Sequence, residues 1–166
     1  KYRNKIPLWK KYSPENKINE NYKYSPLVIN QGINWNTYID SGLFLYEDGS
    51  NQEAVIFGTG PAITLGSLTN KYFDYTSLDV LAQYIVKGND SPFRFDNIID
   101  TENLRFNLKQ QLYGPIIFGF LSYLNLDPNH DDYGEFSNTQ YSLDISRRAY
   151  SLGAFYRPSS STIGIQ

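Results

Sequence analysis

The sequence predicts an all-β chain, an antiparallel up-and-down transmembrane β-barrel or part of one, with about eight to ten strands. Three observations lead there. From Ser25 onward apolar and polar residues alternate with a period of two almost without a break. Residues 104–112 and 116–126 form two long alternating runs joined only by Tyr113-Gly114-Pro115. Aromatics make up 16% of the chain, and the 15 tyrosines outnumber the 10 phenylalanines, a bias toward boundaries between apolar and aqueous phases.

The length of 166 residues suits one domain, and the formal charge of -2 supplies no basic field for nucleic acid. Cysteine is absent, which removes disulfides, thiolate metal sites and cysteine nucleophiles together. Methionine is absent too, even at position 1, so the chain is expected to belong to a longer precursor. No run approaches the roughly 20 apolar residues of a membrane helix, a test that strands of a membrane barrel would not meet in any case.

Taken in order, residues 1–24 are rich in Lys and Asn and show no sustained period. They read as a basic connecting arm with one short element around Ile6 to Trp9, since Pro7 and Pro14 oppose a helix. Residues 25–166 carry the strands. Ile29, Ile33, Trp35 and Ile39 alternate with asparagines and Gly32, and residues 42–58 read as a hairpin around Asp48-Gly49. After Gly60-Pro61, Ala62 to Leu65 suggest another short strand. Leu78, Val80, Ala82, Tyr84 and Val86 mark the next apolar face, closed by a turn from Lys87. SPFRFD (91–96) opens a further candidate. The two long runs follow, then the polar loop DPNHDDYGE (127–135). Tyr141, Leu143 and Ile145 give way to Tyr150, Leu152, Ala154 and Tyr156, so a turn or bulge is required between them. STIGIQ begins a last strand.

A soluble sandwich also alternates, so strand length and end chemistry must decide. A tilted strand needs about 9–11 residues to cross hydrocarbon, whereas soluble strands average about five or six. The long runs match the former. Leu104, Phe106, Leu108, Ile116, Phe118 and Phe120 are therefore expected to face lipid, and Arg105, Asn107, Lys109 and Gln111 a wet lumen. Turns at 113–115 and 146–148 are short while loops at 87–91 and 127–137 are longer, as at the two rims of an outer-membrane barrel. The alternative is a soluble β-sandwich or calyx that binds carbohydrate or lipid through tyrosines.

Candidate sites are few. FGTGPAITLGS is not a phosphate loop, because no Gly-Lys-Ser/Thr follows; Gly58, Gly60 and Gly66 read as turns and strand kinks. Asp127, Asn129 and Asp131 hold the first, third and fifth places of a calcium-loop pattern, but Asp132 replaces its glycine and Asn138 its final glutamate. A solvated loop is expected there, with a weak divalent site as the alternative and no metal or other cofactor required. The single histidine, His130, lies in the same loop and offers no triad. Spacing alone does not make glycosidase pairs of Asp74, Asp79, Asp96 or Asp100. The chain is not expected to be an enzyme. Arg94, Arg105, Lys109, Arg147 and Arg148 are the candidates for holding acidic groups of a glycolipid. For Arg147 and Arg148 a role as headgroup anchors is equally open.

GTGPAITLGS (58–67), KYFDYTSLDV (71–80), SPFRFD (91–96), QQLYGPIIF (110–118), NLDP (125–128) and SRRAYSLGAFY (146–156) occur in this order. Together they resemble the C-terminal part of cyanobacterial LptD-like proteins, over roughly residues 25–166. The resemblance implies a barrel in the outer membrane of a Gram-negative-type cell that inserts lipopolysaccharide into the outer leaflet. It also implies membrane lipids, a periplasmic transport bridge, a lipoprotein plug and the remaining barrel strands as partners. The N-terminal jellyroll of that family is not seen in this chain, and ten or so strands would supply only part of its barrel.

Overall fold

The computed structural model describes residues 1–11, 29–47, 49–88, 101–146 and 150–165. These form nine strands: β1 (Tyr2–Lys11), β2 (Gln31–Leu45), β3 (Asn51–Leu65), β4 (Thr76–Lys87), β5 (Glu102–Tyr113), β6 (Ile116–Asn125), β7 (Phe136–Ser146), β8 (Ser151–Arg157) and β9 (Thr162–Ile165). They make one sheet in chain order, and every neighbouring pair is antiparallel. The sheet is not closed into a barrel: β1 and β9 are its two edges. A 3₁₀ turn at Pro158–Ser160 is the only helical element among the described residues. No described helix is long and apolar enough to cross a membrane.

Two strands extend further than the sequence suggests. The element expected near Ile6 to Trp9 occupies all of Tyr2–Lys11, with Arg3 opposite Tyr38 and Lys5 opposite Asn36. Pro7 is tolerated because β1 is an edge strand and the register shifts between Pro7 and Trp9. Likewise Gly60-Pro61 does not end a strand. It lies inside the fifteen-residue β3, where the paired register with β4 skips from Thr59↔Ala82 to Ala62↔Asp79. The missing proline N–H falls in that gap. The hairpin expected at 42–58 is present, with Gly49 at φ 84 and its amide bonded to the Tyr46 carbonyl. SPFRFD lies outside the described residues.

Side chains of paired residues share a face, so the registers sort the whole sheet. One unbroken row reads Trp9, Ile33, Ile63, Leu78, Leu108, Phe120, Tyr141, Tyr156 and Ile163, one apolar residue from each strand. A row on the opposite face reads Arg3, Tyr38, Gly58, Gln83, Asn103 and Asn125. Burial is inverted relative to a water-soluble domain. Among the described residues the buried apolar side chains are only Ala54, Leu68 and Leu81, against seven buried polar ones that include Asn34, Gln52, Asn103, Gln111 and Asn125. On the apolar face Ile39, Phe57, Leu143 and Leu152 stay exposed, and no second layer covers them among the described residues.

Candidate functional site

The polar face holds a cavity of about 530 Å³ across β1 to β5. Its lining includes Lys1, Arg3, Lys5, Asn36, Tyr38, Asp40, Asp79 and Arg105, with Ile56 and Leu81 as apolar members. Beside it, two glycines of β3 allow close approach of their neighbours. Gly58 and Gly60 stand between Tyr38 and Asn36 on one side and β4 on the other, and neither projects a side chain. A Cβ on Gly58 would lie 2.1 Å from the Tyr38 ring, and one on Gly60 would lie 2.0 Å from the Val80 carbonyl oxygen. The Tyr38 ring therefore folds over Gly58, and Gln83 Nε2 donates to its hydroxyl.

Charge within the cavity is unevenly paired. Lys1 Nζ contacts Asp40 at 2.7 Å. Asp79 accepts a hydrogen bond from Asn36 Nδ2 at 3.4 Å. Arg3, Lys5 and Arg105 have no carboxylate within ion-pair distance among the described residues, and Arg105 Nε is buried without a hydrogen-bond partner. Asn103 Oδ1, on the next row, is also buried and unpartnered.

The rims are held by polar knots. Gln111 is fully buried; its Oε1 accepts from the amides of Asp74 and Tyr75, and its Nε2 donates to the carbonyls of Asn70 and Gly114. One side chain thus clamps the β3–β4 loop to the β5–β6 turn. Burial pushes the Asp74 carboxyl up, but hydrogen bonds from the Asn70 and Thr69 amides, the Thr69 hydroxyl and the Ser67 amide outweigh it and hold the group below its ordinary range. Beside this clamp Lys71 lies 5.5 Å and 5.2 Å from the ring centres of Tyr72 and Tyr113. At the other rim the Thr101 hydroxyl and the Asn129 amide and side chain donate to Asp127, drawing its carboxyl down to about 2.

The expected site residues separate accordingly. Arg105 lines the cavity; Lys109 shares its face but is exposed and lies outside it. Arg94, Arg147 and Arg148 lie outside the described residues. Leu104, Phe106, Leu108, Ile116, Phe118 and Phe120 all fall on the apolar face, half-buried against their lateral neighbours. Asp127, Asn129 and Asp131 do not converge: the Asp127 oxygens are engaged by Thr101 and Asn129, and Asp131 is exposed. Among the described residues no cluster of three or more His, Asp or Glu side chains could hold a metal ion. Sequence reasoning missed Lys1, Arg3 and Lys5, whose place at the site follows only from the pairing of β1 with β2.

Fold and site define an all-β protein built on one open antiparallel meander, with an apolar face and a polar, cation-bearing one. The chain belongs to the family described as "Protein of unknown function (DUF3769)", whose model matches residues 1–166. No curated protein and no solved structure matches it.

Proposed function

We propose that this chain is part of the wall of an outer-membrane β-barrel that carries lipopolysaccharide to the outer leaflet. Sugars would pass along the polar face while acyl chains stay against the apolar one. The observation that carries the reading is the apolar row running through all nine strands, which no second layer covers among the described residues. Monomeric soluble proteins rarely expose apolar patches beyond a few hundred Å². Hydrocarbon, by contrast, stabilises such a face without a second layer. Strand length agrees. The twelve residues of β5 extend about 40 Å, which a tilt near 45° reduces to about 28 Å, close to the thickness of a bilayer core. The edges set a further requirement: unpaired strand amides are not tolerated in hydrocarbon, so additional strands, from the same polypeptide or another chain, must pair with β1 and β9.

The transport step rests on the resemblance to cyanobacterial LptD-like proteins and on the cations of the polar face. It is passive guidance, with energy supplied by other components. A photoreactive residue at Gln83, on the polar face, tests it in cells. Adducts with lipopolysaccharide are expected there, whereas a photoreactive residue at Phe118 should capture phospholipid acyl chains. Absence of any glycolipid adduct at Gln83 in a membrane-inserted protein would remove the transport reading.

A further inference from the structure

We infer that the cavity built by Arg3, Lys5 and Arg105 is a binding site for a doubly charged phosphate group. This deepens the transport reading above and rests on it for the source of the phosphate, a phosphorylated sugar headgroup. The chemistry itself follows from the cavity. Lys1 is neutralised by Asp40 at 2.7 Å. Of the remaining described lining, three cations face one carboxylate, Asp79, which leaves two positive charges uncompensated among the described residues.

A phosphomonoester carries about -1.5 to -2 at neutral pH and matches that excess, whereas a single carboxylate matches half of it. Geometry favours phosphate as well. Arg105 Nε is buried with no partner, and an unmade bond at a buried donor is normally avoided. An oxyanion with several oxygens can take that donor while also meeting a lysine, a pairing that guanidinium and ammonium groups make well. Space is present: the cavity these side chains line measures about 530 Å³.

The test is calorimetric titration, in detergent micelles, of the assembled protein with the strands that pair with β1 and β9 present. The probes are inorganic phosphate, inorganic pyrophosphate, a glycolipid with a phosphorylated sugar headgroup and its dephosphorylated form. The phosphorylated glycolipid should bind more tightly than the dephosphorylated one, and pyrophosphate should compete with it. Arg105→Gln and Lys5→Gln should each weaken binding about tenfold. Asp79→Asn should tighten it, a gain that misfolding cannot imitate. Lys71→Gln, on the rim, should change nothing. If inorganic phosphate binds in an Arg105-dependent way while the two glycolipids bind alike, the anion site stands and its ligand is free phosphate.

The site is overturned if phosphate in neither form binds, or if Asp79→Asn and Arg105→Gln both leave affinity unchanged. Vesicle insertion of the same preparation separates the two readings. Insertion without phosphate binding refutes the site alone; phosphate binding without insertion refutes the barrel alone.

Discussion

Replacing Phe120 with arginine puts a guanidinium at the centre of β6, in the middle of the nine-strand apolar row. Phe120 pairs laterally with Leu108 and Tyr141, its ring 5.6 Å from that of Tyr141. Two costs must be separated. Losing the aromatic contact removes about 0.5–1.5 kcal/mol beyond area burial, and Phe120→Ala reports that packing loss. Arginine at mid-depth in hydrocarbon adds about 2–4 kcal/mol. On a water-facing surface the same arginine would change stability by about 0.5 kcal/mol or less. The assay is reversible denaturant unfolding from lipid vesicles, followed by tryptophan emission, of parent, Phe120→Ala and Phe120→Arg. The arginine variant should lie about 2–4 kcal/mol below the alanine variant. Equal stability of the two variants would refute the assignment of this face to lipid.

Gly60→Ala should destabilise the sheet more than Gly58→Ala, because its methyl meets the fixed Val80 carbonyl whereas the Tyr38 ring can swing away; denaturant midpoints of the two variants check this. Gln111→Leu removes four hydrogen bonds to two loops and should cost about 2–4 kcal/mol, with faster amide exchange at residues 67–75, 113 and 114. Acid should loosen the β6–β7 loop. Asp127 sits at about 2 when folded against about 3.9 when unfolded, so its contribution is complete above about pH 4 and is lost as pH falls toward 2. Proteolysis of the loop at graded pH should show that loss, and Thr101→Val, by bringing the folded value toward the unfolded one, should make the pH-dependent loss smaller.

Most of the meander was legible because β2 and β4 to β8 largely alternate, and a period of two needs no knowledge of partners. Only a short piece of β1 was legible, because Pro7 and the register shift before Trp9 break its rhythm and its full length depends on β2 as template. β3 looked like two strands because Gly60-Pro61 reads locally as a turn; only the interrupted pairing with β4 explains how proline sits inside a sheet. The polar cavity was half legible. Arg105 stands out on a wet face, yet Arg3 and Lys5 come from the far end of the chain and meet it only through four consecutive strand pairings. Gln111 looked like one more polar residue of that face. Its burial arises from two loops closing over it, which alternation does not encode.

Both tryptophans, Trp9 and Trp35, lie on the apolar face, Trp35 opposite Pro61 and Trp9 opposite Ile33. Their fluorescence in vesicles therefore reports directly on what touches that face. Lipids brominated along the acyl chains should quench the emission strongly, and aqueous iodide should quench it little. Strong iodide quenching, with no response to brominated lipid, would mean that water rather than hydrocarbon meets the apolar row.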